Sequence, residues 1–128
     1  MKSAYVNTDL TLRAGFDLEP LARVLEDAGL HCLSVNQSDP GTWDANFETS
    51  QDYCDPNSSI GALLLAVDSL SAESRISWQA CTTREFDMGF QGGDEPFGLD
   101  WIISTESLKR IAKLDATMRI TLYRHKLG

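Results

Sequence analysis

From Ala4 to Ala14 polar and apolar positions mostly alternate, and Leu10, Leu12 and Ala14 share one parity, which predicts a half-buried strand. The period then changes. Leu18, Leu21, Ala22, Leu25 and Ala28 fall at helical spacing, with Asp17 placed as N-cap, Glu19 and Pro20 in the first turn, and Gly29 where the helix must end. His31 to Gln37 alternates again, with Leu33 and Val35 on one side. Asp39-Pro40-Gly41 is turn chemistry, and Trp43, Ala45, Phe47 and Thr49 predict the next half-buried strand.

The second half repeats this logic. Asp55-Pro56 opens a helix whose apolar set is Ile60, Leu63, Leu64, Val67 and Leu70. From Ser74 one parity holds through Ile76, Trp78, Ala80 and Thr82, then Phe86, Met88 and Phe90, which predicts one long strand bent near Thr83-Arg84. Gln91 to Gly98 reads as a flexible acidic loop, and Leu99, Trp101 and Ile103 as a short strand. Ser104 caps a helix carrying Leu108, Ile111 and Ala112. Ala116 to Arg124 alternates once more, with Met118, Ile120 and Leu122 facing in.

The predicted order is β-α-β-β-α-β-β-α-β in a single domain, residues 1–128. Its first six elements have the split βαββαβ order of ferredoxin-like folds. One apolar face per strand predicts an α+β fold, a mainly antiparallel sheet with helices on one face.

Composition narrows the function. At 128 residues and 14.2 kDa, with 42% apolar and 23% charged residues, the chain has ordinary globular composition. A net charge of −8 disfavours nucleic acid as a direct ligand, because phosphate binding needs surplus basic charge. No apolar run is long enough for a membrane-spanning helix. Met1 to Leu10 lacks the apolar core of a secretory leader, so a cytoplasmic location is expected. Cys32, Cys54 and Cys81 form no C-x-x-C pair and are read as reduced thiols. His31 and Cys32 are strand neighbours, so their side chains diverge and make no catalytic pair.

Phosphate-loop, dinucleotide, hydrolase-elbow and zinc-protease motifs are all missing. The acids Asp52, Asp55, Asp94 and Glu95 lack the spacing of an EF-hand loop. No catalytic residue, metal or cofactor is therefore expected. By strand parity Trp78 and Trp101 belong to the core and Asp100 faces solvent; Tyr123 opposes Leu122 and is expected to be accessible, and Trp43, at a strand entry after Pro40-Gly41, to be partly exposed.

The segment Leu99 to Tyr123, with its helix Ser104-Thr105-Glu106-Ser107-Leu108-Lys109-Arg110-Ile111-Ala112-Lys113-Leu114, resembles the end of a family of small bacterial domains of unknown function. The opening strand followed by Asp17-Leu18-Glu19-Pro20 is similar to it too. The resemblance covers roughly half the chain; its motifs are structural and carry no active residues over. In size and charge the chain is also similar to immunity proteins that neutralise bacterial toxins, which implies a binding role.

Charge is strongly segregated along the chain. Val24 to Ser74 holds nine acids and no Lys or Arg, Glu85 to Leu108 six acids and no base, and Lys109 to Lys126 is basic. The expectation is a docking face for a cationic protein partner, with Asp39, Asp44, Glu48, Asp52 and Asp55 supplying the field and Trp43 and Tyr53 as aromatic anchors. A toxin domain that handles nucleic acid presents such basic charge, so the leading reading is a non-enzymatic immunity protein. A small enzyme or ligand-binding domain with a carboxylate-lined pocket is the alternative. A homodimer joined through a sheet edge or an exposed sheet face is the third reading.

Overall fold

The computed structural model describes residues 3–94 and 99–123. Its elements run β1 (Ala4–Ala14), α1 (Glu19–Asp27), β2 (Leu30–Asp39), β3 (Thr42–Thr49), α2 (Pro56–Asp68), α3 (Ala72–Ala80), β4 (Thr83–Gln91), α4 (Thr105–Lys113) and β5 (Thr117–Tyr123). The strands form one sheet in the order β2-β3-β1-β4-β5. β1 lies at its centre, antiparallel to both β3 and β4, and β2 and β3 form an antiparallel hairpin. β5 alone is added parallel, on the outside of β4. The β2-β3-β1-β4 part is the ferredoxin-like arrangement of two interleaved split βαβ units, and β4-α4-β5 extends it. The protein is thus an α+β fold with a mostly antiparallel sheet.

Local chemistry explains most element ends. The Asp55 carboxylate caps α2 by accepting the Ser58 backbone N–H at 2.9 Å and its hydroxyl at 2.7 Å, with Pro56 in the first turn. Ser104 caps α4 through the Ser107 N–H at 3.1 Å. Asp17 accepts the Glu19 N–H at 2.9 Å, one residue earlier than a standard cap, since Leu18 is already helical. Gly29 takes φ +107°, the left-handed turn that ends α1 and that a side chain would strain.

The core sits between the sheet and the helices. Leu10 and Leu12 of β1, Ala45 and Phe47 of β3, and Phe86 and Met88 of β4 meet Leu21 and Leu25 of α1 and Ile60, Leu63, Leu64 and Val67 of α2. Burial of a side chain of this size contributes about 1.5–3 kcal/mol.

The structure corrects the sequence reading at four places. The long strand expected from Ser74 to Phe90 is a helix followed by a strand, so the sixth element is α3. Ser71 caps α3 through the Ser74 N–H at 3.1 Å, and of the alternating set Ile76, Trp78 and Ala80 only Trp78 is buried. Its indole N–H donates to the Leu114 carbonyl at 3.1 Å. Arg84 closes the other end of α3, donating to the carbonyls of Trp78, Gln79 and Cys81 and, through Nε, to that of Asp115.

Second, Leu99 to Ile103 forms no strand. Asn57 of α2 holds this segment instead, donating to the Ile102 carbonyl at 2.6 Å and accepting the Ser104 N–H at 2.9 Å. Trp101, expected in the core, is 40% exposed and leans on Tyr5. Third, a bulge between Cys32 and Ser34 shifts the parity of β2, so Cys32 and Val35 pack on the core and Leu33 is exposed. Fourth, Ile120 and Leu122 share the parity of Met118 but are exposed, since nothing among the described residues covers that end of β5. Arg124 and residues 95–98 of the expected acidic loop lie outside the described residues.

Candidate functional site: the open face of the sheet

The helices occupy one side of the sheet, so the other side carries the opposite parity of every strand. On β1 that side is Asp9, Thr11 and Arg13; on β3, Asp44, Asn46 and Glu48; on β4, Glu85 and Asp87; on β5, Arg119, Thr121 and Tyr123. These side chains are half-buried or exposed, and no element among the described residues lies across them.

Register turns this face into rungs. Asp9 is paired with Asp87 on β4, and the pairing of Leu10 with Phe47 places Glu48 beside Asp9 on the other flank. His31 is opposite Glu48, and Arg119 opposite Asp87. One rung therefore reads His31, Glu48, Asp9, Asp87, Arg119 across five strands, with three carboxylates in its middle. Directly opposed side chains are about 5 Å apart at Cβ, and opposed like charges destabilise a sheet.

The flanking acids of this face are neutralised. Arg13 Nε meets Asp44 at 2.7 Å and holds its carboxyl below the usual carboxylate range. Arg119 Nε meets Glu85 at 3.0 Å. The three acids of the central rung form no ion pair among the described residues. Among the described residues Asp9 receives only the Asn7 amide at 3.0 Å, and Asp87 the Thr121 hydroxyl at 2.7 Å. Asp9 consequently resists ionisation. Partial burial, then the charges of Glu48 and Asp87, push its carboxyl up to about 6.

The residues expected from sequence do not form one cluster. Asp44 and Glu48 lie on the open face, the former neutralised by Arg13. Trp43 shares the opposite parity, with Ala45 and Phe47, and packs half-buried against the core. Asp39 is exposed at the end of β2, and Asp52 and Tyr53 belong to the loop before α2. Asp55 is engaged as a helix cap, and its bonds to Ser58 hold its carboxyl low. Sequence reasoning missed Asp9 and did not place Asp87 on this face. Both stand opposite in parity to core residues, Leu10 and Phe86, which was the signal available.

Other chemistry is sparse. A cavity of about 470 Å³ lies where Phe90, Leu99, Trp101, Ile120 and Leu122 come together, and none of its described lining residues is ionisable. A cavity of about 360 Å³ at one end of the open face is polar, with Arg13, Arg84 and Arg119 beside Glu85 and Asp115. All three cysteines are free, and burial pushes the Cys81 thiol up to about 11, which suits a structural residue. No group of acids, histidines or cysteines among the described residues is arranged to hold a metal ion. No helix among them is long and apolar enough to cross a membrane. Comparison with protein-family models, with curated proteins and with solved structures gives no match.

Proposed function

We propose that this protein is a binding module whose open sheet face docks a basic protein surface, in the manner of an immunity protein that occupies the nucleic-acid-binding surface of a toxin. One observation carries the reading. The fold places Glu48, Asp9 and Asp87 in adjacent strands with no cation between them among the described residues, an arrangement that costs folding stability. Sites that oppose stability in this way are where function is concentrated. A lysine or arginine from a partner, set over Asp9, relieves the repulsion of all three acids at once. The same field steers association and raises its rate.

The test is association kinetics with the basic product of an adjacent reading frame. Binding is expected to weaken steeply with salt, and Glu48→Lys with Asp87→Lys to slow association at least about tenfold, since rim charges act mainly on the on-rate. Association that ignores both salt and the double charge reversal would overturn the reading.

A further inference from the structure

The two edges of the sheet are not alike. β2 is protected as free edges usually are: its ladder is broken by bulges after Cys32 and after Gln37, and Asn36, Gln37, Ser38 and Asp39 are exposed polar residues. β5 has none of this. Its seven residues pair with β4 in unbroken register, contain no proline, and carry one charge, Arg119, already paired with Glu85. Gly92 donates its N–H to the Tyr123 carbonyl at 2.9 Å, so Tyr123 and residues at even spacing from it turn their peptide groups toward β4. The N–H and C=O groups of Ile120 and Leu122 therefore point outward. Their side chains, 70% and 71% exposed, stand beside Trp101 on the rim of the 470 Å³ cavity, whose described lining residues carry no charge. A regular edge that no described residue covers is a template for another strand.

We propose that β5 pairs antiparallel with β5 of a second copy of this chain, joining two five-stranded sheets into one. Charge selects the partner. With a net −8, two copies repel over most approaches, whereas β5 carries no acid and its one charge, Arg119, is paired with Glu85. Sequence supports a register centred on Ile120. It opposes Ile120 to Ile120 and Met118 to Leu122 on the helix side, and Arg119 to Thr121 on the open side, so the two arginines do not face each other. A two-fold axis perpendicular to the sheet leaves both open faces on the same side. The dimer is thus compatible with any ligand of that face and stands or falls independently of it.

The experiment is light scattering coupled to size exclusion on the full chain, over about a hundredfold range of concentration. The expected mass is twice 14.2 kDa for the natural sequence and 14.2 kDa for Ile120→Lys with Leu122→Lys, both substitutions at exposed positions and judged folded by circular dichroism. Amide exchange needs no variant: the Ile120 and Leu122 N–H groups should slow at least about tenfold as concentration rises, while that of Thr121 is protected throughout. A mass of 14.2 kDa at every concentration overturns the proposal. So does a dimer that survives both lysines.

Discussion

Replacing Asp9 by Asn removes the charge at the middle of the acidic rung and keeps the shape and the acceptor used by Asn7. In the folded protein the Asp9 carboxyl is pushed up to about 6, against an ordinary value near 3.9 in an unfolded chain. Between these values the folded state binds more protons than the unfolded one, so the contribution of Asp9 to stability falls as pH rises from about 4 to about 6. The cost is fully present above that window and absent below it. About two pKa units correspond to about 3 kcal/mol, and screening by water on an open sheet face reduces this to roughly half, about 1.5 kcal/mol. Asp9→Asn is therefore expected to stabilise the protein by about 1.5 kcal/mol at pH 8, or about 5 °C in melting temperature, and by nothing at pH 3.5. Urea unfolding followed by tryptophan fluorescence reports this, since Trp78 is buried. Taking the difference between variant and natural protein at each pH cancels the titration of the other acids. A gain of the same size at both pH values, or none at pH 8, would refute the reading that the ionised Asp9 carboxylate, through its partial burial and the charges of Glu48 and Asp87, destabilises the fold.

Arg84→Ala should destabilise by about 2–3 kcal/mol in the same assay, because it leaves the carbonyls at the end of α3 and that of Asp115 without their charged donor. Asn57→Ala should cost about 1–2 kcal/mol and raise amide exchange at Ser104, whose N–H it otherwise binds. At pH 8 iodoacetamide should alkylate exposed Cys54 and react with Cys81 about a hundredfold more slowly until the protein is denatured, read by mass spectrometry. Asp55→Ala should lose about 1 kcal/mol through the α2 cap. Because Asp55 titrates low when folded, that loss should be present at pH 7 and vanish as pH falls below about 4.

Periodicity carried most of the architecture, and it failed where two periods overlap. Ile76, Trp78 and Ala80 alternate like a strand, yet Ser71 and Glu73 in front of them are helix-start chemistry, and the cap decided. The Leu33 side chain was misplaced because a bulge is invisible to a strict period of two. Leu99, Trp101 and Ile103 alternate without a neighbouring strand to pair with, so side-chain anchoring by Asn57 took over. The acidic rung was out of reach for a different reason. That Asp9, Glu48 and Asp87 are neighbours depends on strand order, which brings together residues far apart in the chain. Counting charge along the sequence instead favoured Asp52 and Asp55, one exposed in a loop and the other already committed to capping.

The central position of β1 also governs when this protein can fold during synthesis. Leu10 waits for Phe47 on one side and for Phe86 on the other, so β1 gains its second neighbour only after β4 has left the ribosome. Partners so distant in sequence raise the contact order and slow the search. Until β4 emerges, one side of β1 remains open to mispairing, which makes that interval the most vulnerable to aggregation.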